Sequence, residues 1–233
     1  MISEWRKGAK AAIPIMIGYV PIGLAFGILA SQQGLTVGNI FFMSLFVYAG
    51  SAQFIAAAMM FSGSQAISII TTTFLVNLRH LLMSASLAPH MKKLSSVIQS
   101  LISFGITDET FAVSGNYVQN NKASAGFFGG LHIASHSSWI LSTVIGGIFG
   151  SKLTETTKWG LDFALSAMFI GLLVPQLKDK RGLLVCICAG LLSLILKSYT
   201  GGNYNVIIAA IIAATIGVMA EKWNNKQSLS YSE

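Results

Sequence analysis

Arg79 is the first charged residue after a long uncharged stretch. No Asp, Glu, Lys or Arg occurs in residues 11–78. Pro89 follows ten positions later, so the guanidinium is expected well inside an apolar segment. A charge there is costly and by default functional, with a partner to be named. The candidates are Asp108 and Glu109, the only acids between Glu4 and Glu155. Adjacent carboxylates repel, which suits them to carry a proton or attract an ammonium group. Two blander readings stand beside this one. Arg79 could snorkel to headgroups or form a purely structural ion pair. Thr107 could cap a helix whose N-terminus Asp108 and Glu109 favour through its dipole.

Other polar positions also interrupt apolar sequence. Gly50, Ser51 and Gln53 lie in Tyr48–Phe54 (YAGSAQF), where small residues beside an amide suit a helix that opens its backbone toward a site. The alternative is an interhelical hydrogen bond. Asn77 and His80 flank Arg79 in NLRH. His132, His136 and Trp139 fall at i, i+4 and i+7, on one helical face. Two histidines at that spacing can bind a metal, but no Cys or acid accompanies them in the segment, so a polar cavity wall is the leading expectation. Gly23 and Gly27 form a G-x-x-x-G pair for close helix packing. Pro14 and Pro21 can each leave a backbone carbonyl without its helical partner. Cys186 and Cys188 sit in an apolar run and are read as buried small apolar residues. Asp162, near the start of a later segment, reads as a helix-dipole partner. No P-loop, G-x-S-x-G or H-E-x-x-H pattern occurs, and no cofactor, metal or catalytic residue is assigned.

The elements holding these residues follow from composition. Of 233 residues, 53% are hydrophobic and 10% charged, against about 25% charged in soluble domains. Mean hydropathy is +0.67. Lipid is the solvent that tolerates such an exterior. The expected fold is therefore an all-α, polytopic transmembrane helical bundle with about eight membrane segments. They run near 11–31, 39–61, 66–88, 94–118, 125–150, 159–176, 182–196 and 204–220. Segments 39–61 and 94–118 carry polar centres and are expected to be broken or re-entrant, which membranes tolerate where protein or water covers the backbone. Residues 1–223 form the expected integral membrane transport domain, and 224–233 a polar, disordered tail.

The net charge of +7 does not point to nucleic acid. Most basic residues cluster at segment ends (Arg6, Lys7, Lys10; Lys92, Lys93; Lys178, Lys180, Arg181; Lys222, Lys226), as the positive-inside rule describes. Both termini are expected in the cytoplasm. Lys92 and Lys93 fall inside if both broken segments are re-entrant and outside if all eight cross. The first apolar run reaches Ala30, longer than a signal-peptide core, and is read as a retained span. No internal repeat is evident.

The ordered set Gly18–Gly27 (GYVPIGLAFG), Tyr48–Phe54 (YAGSAQF), Asn77–His80 (NLRH), Thr107–Phe111 (TDETF) and Leu161–Phe169 (LDFALSAMF) resembles the AzlC family, the large subunits of branched-chain amino acid exporters. Ser166 departs from it, standing where many relatives have proline. The resemblance implies export of valine, leucine and isoleucine, with methionine a further candidate, across the cell membrane. It also implies ion coupling and a small multi-span partner of the AzlD type. A zwitterion needs two opposite partners at mid-membrane, and Gly50, Ser51, Gln53, Asn77, Arg79, Asp108 and Glu109 are the expected substrate-binding set. The remaining alternatives are transport of another small solute such as a metal ion, and a non-transporting membrane enzyme or assembly subunit.

Overall fold

A computed structural model describes residues 2–152, 163, 170, 173–174, 177, 180–199, 208–209, 211–217 and 219. Among these, regular structure is entirely helical: α1 (Ile2–Ala11), α2 (Ile13–Gln32), α3 (Val37–Phe46), α4 (Gly50–Phe61), α5 (Ala66–Leu87), α6 (Ser96–Phe104), α7 (Asp108–Asn120), α8 (Ala125–Gly150) and α9 (Lys180–Lys197). A 3-10 turn at Ala88–Met91 extends α5. The chain divides into two units, Met1–Met168 and Phe169–Glu233.

The helices carry out the expected membrane design. Ile13–Gln32 and Ala66–Met91 are long and apolar enough to cross a bilayer. At 1.5 Å per residue, the 26 residues of α8 extend about 39 Å. Large apolar side chains point outward on these helices, among them Ile17 (69% exposed), Phe74 (64%) and Leu141 (61%). Lipid removes the penalty that water would impose on them.

Segments 39–61 and 94–118 are each two helices. The first breaks between α3 and α4, the second between α6 and α7. The two halves of each segment do not pack side by side. At the first break Tyr48 adopts φ 42°, a left-handed conformation uncommon outside glycine. At the second, Gly105 closes α6 and Thr107 opens α7 through a capping box.

The bundle is organised on α8. Helices α1 and α2 pack along it and run parallel to it. Gly8 meets Phe127 and Leu131, Gly130 meets Trp5, Gly23 meets Ser142, Gly27 meets Thr143, and Gly150 meets Ile28. The space a Cβ would need at Gly27 is taken by the Thr143 carbonyl oxygen, and at Gly146 by the Leu24 carbonyl oxygen. Small residues thus let two helix backbones touch, the main source of helix association where lipid removes the hydrophobic drive.

Helix α1 was not among the expected segments. Its residues are too polar to register as a span, but they alternate at helical spacing. Gly8 is buried against α8, while Arg6, Lys7 and Lys10 are exposed.

In the second unit, α9 carries Cys186 and Cys188. Both are free and partly exposed, which corrects the expectation that they are buried: neither thiol is enclosed by its neighbours. Gly217 lies against Val185. Asp162, most of segment 159–176 and the 224–233 tail lie outside the described residues.

Candidate substrate site at two helix breaks

The two breaks expose helix ends in the interior of the first unit. Helix N-termini carry unpaired N–H groups and positive partial charge. Ser51 is the second residue of α4, and Asp108 the first of α7. Arg79, in α5, connects them. One guanidinium nitrogen lies 2.8 Å from Asp108 Oδ2. The other terminal nitrogen donates to Ser51 Oγ. The carboxylate partner expected for Arg79 is therefore Asp108. The pair is neither fully buried nor at the surface: the side chains are 32% and 26% exposed.

Glu109 faces elsewhere, because consecutive helical residues point about 100° apart. Its Oε2 accepts from the Tyr19 hydroxyl at 2.8 Å. Tyr19 in turn lies 2.7 Å from the Thr107 hydroxyl, and Tyr19 is 5% exposed. Thr107 also accepts from the Thr110 amide, and Thr110 Oγ1 accepts from the Thr107 amide and donates to Gly105 O. The cap foreseen at Thr107 therefore exists, and it coexists with a polar network reaching α2. Adjacent acids avoid facing one another by taking partners on different helices.

A second network holds the first break in place. Trp139 Nε1 donates to Gln53 Oε1 at 2.9 Å. Gln53 Nε2 donates to Ser44 Oγ at 3.1 Å, and Ser44 Oγ lies 2.8 Å from Thr143 Oγ1. His136 Nε2 sits 3.0 Å from Ser44 O, the last turn of α3. The buried amide of Gln53 is thus used at both ends, as a buried amide must be. Gly50 lies against the Trp139 ring, with room for little more than hydrogen.

Aromatic rings line the centre. Tyr48 and His136 have centroids 4.0 Å apart, Tyr19 and Trp139 5.3 Å, and Tyr19 and Tyr48 6.5 Å. The Tyr48 hydroxyl is buried and meets no hydrogen-bond geometry, as are Asn77 Oδ1 and Arg79 Nε. These unmet groups lie on elements that also carry the Arg79 network, and a polar solute would satisfy them.

The expected site residues thus fall into groups. Ser51, Arg79 and Asp108 are in direct contact, and Glu109 stands beside them in sequence with its own partner. Gln53 and Trp139 touch each other, with Gly50 against the Trp139 ring. His136 joins Ser44 of the same network, whereas His132 packs near Gly105 and Phe128. No group of three His, Cys, Asp or Glu able to hold a metal occurs among the described residues. Tyr19, Ser44, Tyr48 and Thr143 carry much of the geometry without having been singled out. Tyr19 and Tyr48 lay within the recognised motifs, where glycines, prolines and the amide drew the reading.

Paired helix breaks meeting around an internal arginine–carboxylate pair, in an apolar helical exterior, define a polytopic α-helical membrane protein with a polar interior. The sequence comparisons narrow this. Residues 14–153 match the family described as AzlC protein. The chain is 33% identical over 195 residues to the inner membrane protein YgaZ of Escherichia coli, covering 81% of this chain and 79% of that protein. It is 36% identical over 179 residues to an uncharacterized membrane protein of Archaeoglobus fulgidus (76% and 78% covered). It is 32% identical over 223 residues to the branched-chain amino acid transport protein AzlC of Bacillus subtilis (93% and 84% covered). The chain belongs to the AzlC family. No solved structure matches it.

Proposed function

We propose that this protein is the large membrane subunit of an exporter for valine, leucine and isoleucine, with methionine a fourth substrate. It moves the amino acid unchanged, driven by an ion gradient, in the cytoplasmic membrane with both termini in the cytoplasm. A small AzlD-type subunit works beside it. The name carried by the Bacillus subtilis relative supports the substrate class.

The observation that carries the reading is Arg79 bridging Ser51 at the start of α4 and Asp108 at the start of α7. A zwitterion requires a cation and an anion from the protein, and Arg79 and Asp108 supply both, paired with each other until the solute takes their place. The substrate carboxylate takes Arg79 with Ser51 and the Gly50 end of α4. The ammonium takes Asp108, Glu109 and the unpartnered Asn77 Oδ1. Gln53 fixes the break, while His132, His136 and Trp139 contribute to the cavity wall. Broken helices supply such sites because their ends present unpaired backbone groups at membrane depth.

The test is efflux of labelled valine, leucine, isoleucine and methionine from preloaded cells, with this chain alone and with an AzlD-type partner. Faster efflux requiring both chains and collapsing with a protonophore is the expected result. Unchanged efflux for all four, with both proteins present in the membrane, overturns the reading. Asp108→Asn or Glu109→Gln exporting at the parent rate would remove that acid from the site.

A further inference from the structure

Beyond the substrate site, one face of α7 is unusually polar for a buried helix. Thr107, Thr110, Ser114 and Tyr117 recur at i, i+3, i+7 and i+10, one side of a helix. Thr110 and Ser114 are fully buried, and Thr107 is 6% exposed. The upper end of this row joins Glu109 through the Thr107–Tyr19–Glu109 hydrogen bonds. At the lower end the Tyr117 hydroxyl donates to Glu4 Oε2 at 2.9 Å. Glu4 is paired with exposed Lys7. A carboxylate therefore stands at each end of one column of hydroxyls.

The middle of the column is chemically incomplete. Ser114 Oγ has no hydrogen-bond partner, and neither do Ser135 Oγ and His132 Nε2 on α8. Ser114 and Ser135 are fully buried and His132 is 7% exposed. Helices α7 and α8 form an antiparallel pair across the 121–124 connection, with Tyr117 stacked on Phe127 at 3.6 Å. Counting about 1.5 Å per residue from that stack, Ser135 lies near the depth of Thr110, and His132 between Thr110 and Ser114. Orphaned polar atoms in a protein interior are the usual seats of internal water, which needs two to four polar partners. One bridging water spans about 5.5 Å between two oxygens. That matches the rise of about 4.5–6 Å between successive hydroxyls of the row.

We infer that an internal water chain along Thr110, Ser114, Ser135 and His132 conducts protons between Glu109 and the Glu4 end of the bundle. This deepens the export reading, on which it rests, by naming the coupling ion as the proton and giving its route. A proton carried on the Glu109 carboxylate leaves it and reaches bulk water beside Glu4. At each link one bond to hydrogen forms on the accepting oxygen or nitrogen and one breaks on the donor. The net result is one proton moved from the Glu109 carboxylate to bulk water, with no electron transfer and no further reactant. Glu109 is surrounded by Tyr19 from α2, Tyr48 from the first break, and Arg79 and His80 from α5, with Asp108 next to it in α7. Glu4 faces Lys7 and Tyr117.

The test uses the full chain, with its partner subunit if efflux requires it, in sealed vesicles holding a trapped pH dye. Proton entry is read with leucine trapped inside and a potassium diffusion potential imposed, and labelled-leucine counterflow is read separately. Dye acidification above that of protein-free vesicles is expected for the parent. Ser114→Ala should lose it, and Ser114→Thr, which keeps the hydroxyl, should restore it. Ser135→Ala gives a second variant should Ser114→Ala fail to fold. Leucine counterflow, which needs no net proton, should persist in these variants. Parent protein without acidification, or alanine variants acidifying like the parent, overturns the conduit. Absent leucine counterflow in the parent overturns the export reading instead, while hydroxyl-dependent acidification would still support the conduit.

Discussion

Arg79 and Asp108 lie 2.8 Å apart at the start of α7, and the same guanidinium reaches Ser51 at the start of α4. One side chain therefore ties two half-helices to α5. Removing one partner leaves an uncompensated charge in a low-dielectric setting, whereas removing both does not. Arg79→Gln and Asp108→Asn should each destabilise more than a simple sum with the double variant allows. The coupling should be about 1–2 kcal/mol, below that of a fully buried pair because both side chains are partly open. A double-mutant cycle on thermal unfolding in detergent measures it. Arg79→Lys should keep the charge but lose efflux, since an ammonium lacks the fork that serves two helices at once.

Tyr48 separates stability from transport. Its hydroxyl is buried without a hydrogen-bond partner, so Tyr48→Phe removes a desolvated polar group at little cost. The melting temperature should hold or rise slightly. Efflux should fall if that hydroxyl meets the solute. Unchanged efflux with unchanged stability would show that the solute does not meet this hydroxyl.

The glycine seam between α2 and α8 gives a steric prediction. A Cβ at Gly27 collides with the Thr143 carbonyl oxygen, whereas Gly18 has open space around it. Gly27→Ala should destabilise by about 1–3 kcal/mol or prevent assembly, because two backbones must part. Gly18→Ala should be tolerated. Fluorescence-detected gel filtration across a temperature series distinguishes them.

The N-terminal helix should respond to acid. The Lys7 hydrogen bond, then that of Tyr117, holds the Glu4 carboxyl below its usual 4.5. A lowered carboxylate stabilises the folded state fully above its unfolded value and loses that effect as pH falls through the folded one. Amides of α1 should therefore exchange faster, relative to intrinsic rates, below about pH 4 than at pH 6. Glu4→Gln should remove this change.

Much of the helical plan was legible because apolar runs and their interruptions translate directly into membrane segments. Segment 125–150 coincides with α8, and both doubtful segments proved to be split. The Arg79–Asp108 pairing was legible to within one residue, since so few acids were available. The choice between Asp108 and Glu109 was not, because it depends on the rotation of α7 against α5. Helix α1 was obscured by its charges, which stand on the face away from α8. Tyr19 and Ser44 were missed for a related reason: a hydroxyl gains importance from what lies opposite, and sequence spacing does not show which helices oppose each other.

The parallel run of α2 and α8 also sets a rule of parity. Two traverses in the same direction require an odd number of traverses between them. Helix α5 supplies one, so the two split segments must either both cross or both turn back; one of each would reverse α8. In either case the 121–124 connection emerges on the same side as α1, and Lys122 shares an aqueous compartment with Arg6, Lys7 and Lys10. An impermeant amine reagent applied from one side of the membrane should reach Lys7, Lys10 and Lys122 together or none of them.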